Sequence, residues 1–173
     1  MREIIKNRQV VTDDWSMLQL AEGDDATTVA VPAGRTIVPL AVWQAQQATL
    51  AGRTDIGVWL PSDARPEALG DAVERLPLIA VDFPKFTDGR GYSIAFNLRS
   101  RLGYTGELRA IGDVLRDQLF FMQRVGFDAF ATRPDRNIHD ALKGLTDFSE
   151  SYQTSWDQKT PLFRRTVRPG ASA

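Results

Sequence analysis

The chain is expected to fold as an α/β domain, with a mainly parallel open sheet or a partial, barrel-like (βα) arc and a β-hairpin at its N-terminus. Three observations predict this. Short apolar runs alternate with segments of helical period from Ile56 to Ala131. Proline and glycine punctuate nearly every change of period. Four or five such units imply parallel strands joined by right-handed crossovers, yet are too few to close an eight-unit barrel.

The elements follow in order. Ile4-Ile5 and Val10-Val11 flank Lys6-Asn7-Arg8-Gln9, a hairpin with Asn7 in its turn. After a polar stretch from Glu22, Thr28-Val29-Ala30-Val31 is expected to be a short strand closed by Pro32. Pro39 can open a helix with Leu40, Trp43 and Leu50 on one face, ended near Gly52. Ile56–Leu60 is a buried-type strand stopped by Pro61. Pro66-Glu67 starts a helix whose Leu69, Ala72, Val73 and Leu76 follow the i, i+3, i+4, i+7 pattern.

Leu78–Asp82 is the next strand. Gly91, Ala95, Leu98 and Leu102 then form a helical stripe, with Arg90, Asn97 and Arg101 opposite. Glu107–Ile111 is a strand, and Asp113 is placed to cap a helix over Val114–Val125. Phe127–Ala131 is the last strand. Ile138, Ala141, Leu142, Leu145, Phe148 and Tyr152 hold the helical period over four turns. Residues 1–160 read as one domain and 161–173, with Arg164, Arg165 and Arg168, as a flexible basic tail.

Composition narrows the function. The 173 residues are 43% hydrophobic and 25% charged, ordinary for a soluble globular protein. A net charge of −1 gives no overall field to recruit nucleic acid or an anionic membrane, so neither is expected as a partner. Lys85 to Arg136 carries nine basic against six acidic residues, a mild bias that solvated helix faces explain. With no cysteine, thiol catalysis, Cys-ligated metal and disulfides are excluded, and the single histidine, His139, excludes a multi-histidine metal site. The opening residues lack a signal-peptide apolar core and no run approaches a membrane span, so a cytoplasmic location is expected.

The densest chemistry lies in the strand-to-helix loop Asp82-Phe83-Pro84-Lys85-Phe86-Thr87-Asp88-Gly89-Arg90-Gly91. Parallel sheets bind ligands at the C-terminal ends of their strands. Asp82, Lys85, Asp88, Gly89, Arg90 and Gly91 are therefore the candidate ligand-binding residues, with Asp113 and Arg133 from the neighbouring strand ends. The two glycines allow close backbone approach, and Arg90 adds a fork of donors suited to a small anion. The bland alternative is that Asp113 and Asp63 are helix caps and that Lys85 pairs with Asp82 or Asp88. Gly89-Arg90-Gly91-Tyr92-Ser93-Ile94 has isoleucine where a dinucleotide fingerprint needs its third glycine, so no nicotinamide cofactor is expected.

The run Phe83–Ser93, with Leu98-Arg99, Gly106–Asp113 and Gly126–Phe130, resembles a bacterial family of unknown function, the one numbered 934. The resemblance covers most of the chain and implies a sulfur context, because genes of that family tend to lie beside those of sulfite reductase haemoprotein and sulfate assimilation. It supplies no catalytic residues. Two readings follow. One is an accessory or binding protein that acts with sulfite reductase or its electron donor, carries no cofactor and is not itself redox-active. The other is a small-anion-binding enzyme that uses the Asp82–Gly91 loop.

Overall fold

The computed structural model describes residues 2–165. The protein is α/β, with an eight-stranded curled half-barrel sheet. The strands are β1 (Glu3–Lys6), β2 (Gln9–Thr12), β3 (Ser16–Met17), β4 (Thr36–Pro39), β5 (Ile56–Leu60), β6 (Leu78–Phe83), β7 (Glu107–Gly112) and β8 (Ala129–Phe130). Their spatial order is β2-β1-β8-β7-β6-β5-β4-β3, so the strands from β3 to β8 are neighbours in chain order and pair in parallel. β1 is antiparallel to both β2 and β8. Asn7 and Arg8 take left-handed conformations (φ 49° and 63°), the turn a two-residue hairpin needs to match strand twist.

A strand's side chains alternate between faces, and the two faces differ here. Val58, Leu60, Ile79, Val81, Phe83, Leu108, Ala110 and Phe130 face the large core under the helices. Those helices are α1 (Leu40–Leu50), α2 (Arg90–Ser100) and α3 (Leu119–Val125), with a 3₁₀ segment at Pro66–Glu74 between β5 and β6. The intervening positions Ile37, Trp59, Leu78, Ala80, Ile111 and Ala131 form a smaller apolar cluster on the concave face, joined by Ile4, Trp15 and Met17.

The curl is a consequence of chain length. β2 and β3 are the two edge strands, and in a flat sheet they would lie roughly 34 Å apart. Four Cα steps join Thr12 to Ser16 and reach at most about 15 Å. The strap Asp13-Asp14-Trp15 can join the edges only if the sheet bends round it. Asp13 accepts two 3.0 Å hydrogen bonds from Arg109 Nη1 on β7. Arg109 is 2% exposed and also bonds Glu107, which pairs with Lys6 at 2.7 Å. The concave face is thus held by a chain of charges, Lys6–Glu107–Arg109–Asp13, whose side chains are buried at every link but Lys6.

Several elements differ from expectation. Thr28–Val31 is loop, with Val29 and Val31 half-buried against the core, and the strand is Thr36–Pro39, buried at all four positions. The helix from Pro66 is 3₁₀ and broken at Gly70 (φ 54°), although its Leu69, Ala72, Val73 and Leu76 are buried as the pattern requires. The helix expected from Val114 is a 3₁₀ turn at Arg116–Gln118 followed by α3. Asp113 is not its cap, because its carboxylate ties two loops together instead. The four-turn final helix is only α4 (Ile138–Lys143), capped by Asn137, and a 3₁₀ turn at Gly144–Thr146. A Cβ on Gly144 would lie 2.3 Å from the Arg116 carbonyl, so close backbone packing ends the element there. Phe148 and Tyr152 consequently stand exposed rather than buried. Of the expected tail, Leu162–Arg165 forms a helical turn (α5), and residues 166–173 lie outside the described residues.

Candidate functional site

The C-terminal ends of β4 to β7 open into a pocket of about 550 Å³ at the mouth of the arc. Its floor is Pro39, Trp59, Asp82 and Ile111, from four successive strands, with Pro61 just beyond β5. Its walls are Met17, Gln19 and Leu20 on one side and Leu40, Ala41 and Gln44 of α1 on the other. The first wall is pinned. Trp59 Nε1 donates to the Leu18 carbonyl at 3.2 Å. Gln46, at a break in α1, donates 2.9 Å bonds to the carbonyls of Ala26 and Val29.

Among the described residues, Asp82 is the only ionisable one lining this pocket. The β6 alternation turns it inward beside Leu78 and Ala80, next to Ile111 of β7. Among the described residues, none donates a hydrogen bond to its carboxylate. Burial pushes the Asp82 carboxyl above the usual carboxylate range, and the negative charge of Asp88 pushes the same way. Gly112 (φ 91°) is what lets the chain pass behind it. A Cβ there would lie 2.4 Å from the Phe83 carbonyl and 2.5 Å from Asp82 Oδ1.

The remaining candidate residues gather in two further groups. Asp88, Gly89 and Arg90 meet around Ser62. Ser62 Oγ donates to Asp88 Oδ2 at 2.7 Å, and Arg90 holds the same carboxylate through Nε at 2.9 Å and Nη2 at 2.7 Å. Arg90 Nη2 also reaches Ser62 Oγ at 2.8 Å. The Arg90 fork and the Ser62 hydroxyl hold the Asp88 carboxyl far below its ordinary range. Gly91 opens α2 against Phe83, whose ring would lie 2.5 Å from any Cβ, so this glycine serves packing.

Asp113 and Arg133 form the second group. Asp113 Oδ2 accepts from the Phe86 N–H at 2.8 Å and Oδ1 from Arg133 Nη1 at 3.1 Å, while Arg133 also grips Asp135. Lys85 is exposed and enters no ion pair among the described residues, with Asp82 and Asp88 included. The expected single cluster is therefore three: Asp82 in the pocket, Asp88–Arg90 with Ser62 outside it, and Asp113–Arg133 bracing the loop at Phe86.

The pocket's other walls and the charge chain escaped the sequence reading. Glu107 and Arg109 did carry a signal, since two charges at i and i+2 of a strand must share one face. Met17 and Leu20 carried none, because only the topology brings them over β5.

A family model described as "Bacterial protein of unknown function (DUF934)" matches residues 57–163, more than half of the chain, from the second residue of β5 through β8. The chain belongs to the DUF934 family. No curated protein matches it. The match includes Trp59, Pro61, Asp82 and Ile111, but the strap, β3 and the wall Met17–Leu20 precede it. The matched DUF934 segment thus supplies most of the pocket floor, while Pro39 and both walls come from outside it. No helix among the described residues is long and apolar enough to cross a membrane.

Proposed function

We propose that this DUF934 protein is an accessory or binding protein of assimilatory sulfite and sulfate reduction, acting with sulfite reductase or its electron donor and carrying no redox group of its own. The observation that supports a binding role is the state of the rim arginines. Arg90 closes on Asp88, and Arg133 closes on Asp113 and Asp135, all within 3.2 Å. Ser62 does touch a carboxylate, but a carboxylate held so acidic is a poor base and does not activate a hydroxyl. The sulfur partner is supported by the gene neighbourhood that the family resemblance implies.

The contact face proposed for that partner includes Arg90, Arg101 and the aromatic group on α3. Phe120, Phe121 and Phe148 pack edge-on or tilted with ring centroids 5.0–6.3 Å apart, and Phe121 and Phe148 are more than half exposed. Exposed aromatic clusters are favoured as interface anchors. Deleting the gene should impair growth on sulfate or sulfite and spare growth on cysteine, and a tagged chain should retain sulfite reductase from native extract. Equal growth on all three sulfur sources removes the proposed sulfur role.

The second reading, a small-anion-binding enzyme at the Asp82–Gly91 loop, is favoured by the exposure of Lys85 and of Arg90, whose side chain is 60% accessible. On this reading Arg90→Ala weakens sulfite or sulfate binding and leaves stability nearly unchanged. Calorimetry that finds no heat of binding for either anion on the unmutated protein removes it.

A further inference from the structure

We propose that the pocket at the mouth of the arc binds a small organic amine, with an apolar body among Leu20, Leu40, Trp59 and Ile111 and its nitrogen on the Asp82 carboxylate. The inference does not depend on the sulfite reductase reading.

Three observations carry it. The volume, about 550 Å³, lies within the range of small-molecule sites, which are mostly apolar with a few placed polar groups. Apart from Asp82, the side-chain amides of Gln19 and Gln44 and the Met17 thioether, the named lining is aliphatic, aromatic or proline. The Asp82 carboxylate faces this lining with no hydrogen-bond donor among the described residues. The Asp82 carboxylate is half-buried and free to accept, and a cationic N–H gives the strongest hydrogen bond for that place.

The charges nearby exclude the opposite ligand. Among the described residues no lysine or arginine lines the pocket, and Asp88 stands close enough to press on the Asp82 charge. An anion entering here would meet a carboxylate with no compensating cation. Trp59 cannot serve as the polar anchor, since its indole N–H is already given to Leu18. Asp82 is therefore the group that selects.

The test compares 2-phenylethylamine with 2-phenylethanol, which shares its ring and chain length but not its charge, by calorimetry on the full chain. The amine should bind at least about tenfold more tightly than the alcohol. Asp82→Asn should bring the amine down to the level of the alcohol, with a thermal melt verifying the fold. Ala41→Phe adds a ring at an exposed position on the pocket wall and should weaken both probes without touching the core. Equal binding of the two probes, a preference that survives Asp82→Asn, or no saturable binding of the amine up to about 10 mM overturns the proposal.

Discussion

Replacing Asp13 with alanine is expected to lower folding stability by about 3–5 kcal/mol, the usual cost of removing one member of a buried ion pair. Asp13 is the acceptor for both bonds from Arg109 Nη1, and the two side chains are 6% and 2% exposed. Without it, Arg109 keeps Glu107 but leaves one arm of its guanidinium without a partner inside the concave face. Urea unfolding monitored by tryptophan fluorescence reads the loss as a lower midpoint. The double change Asp13→Leu with Arg109→Met should recover much of it, because Glu107 retains Lys6 at 2.7 Å and no orphaned cation remains. A single variant as stable as the parent would mean that solvent reaches Arg109.

Leu119→Ala should cost about 2–5 kcal/mol. Leu119 is fully buried at the start of α3, in the same core as Met122, Phe127 and Leu145. These neighbours come from α3 itself, the approach to β8 and the 3₁₀ turn after α4, and no single shift of one element refills the space. The cost should therefore sit in the upper half of that range, measured by denaturant unfolding. A loss below about 1 kcal/mol would mean that the cavity collapses freely around the smaller side chain.

The parallel core was legible because its signals are local. Ile56–Leu60 and Leu78–Phe83 are mainly apolar runs cut by Pro61 and Pro77, Glu107–Gly112 alternates charged with apolar residues up to its glycine, and all three are strands at nearly the expected bounds. Val58, Ile79, Val81, Leu98, Leu119, Met122 and Leu145, all apolar positions of the periodic pattern, are each 3% exposed or less. Thr28–Val31 misled because β-branched residues favour strands only where a partner strand waits, and the partner of β5 is Thr36–Pro39. The last helix misled because its period continues past Gly144, whereas the chain there must pass against Arg116.

The candidate site was legible in place but not in grouping. Asp82 ends a strand and Asp88–Arg90 begins a helix, so the two were read as one charged loop. Strand alternation turns Asp82 into the arc, and the loop then carries Arg90 outward to Ser62. The pocket wall at Met17–Leu20 lies some sixty residues from Asp82 in sequence, beyond the reach of periodicity.

The strap Asp13–Trp15 also sets an order in time. Arg109 and Asp13 are 96 positions apart, so this contact closes one of the longest loops in the chain. During synthesis, the hairpin β1–β2 emerges well before β7 and β8 exist, and an isolated two-strand hairpin is marginal in water. Ile4 and Ile5, each at most 2% exposed in the finished fold, must wait unburied until β8 arrives beside them. Local units such as β6–α2–β7 can form as they appear, but the strap cannot settle across the concave face until the arc beneath it is built. The hairpin residues, made well before β7 and β8, are thus among the last to find their places, and the growing chain exposes their apolar surface until β8 arrives.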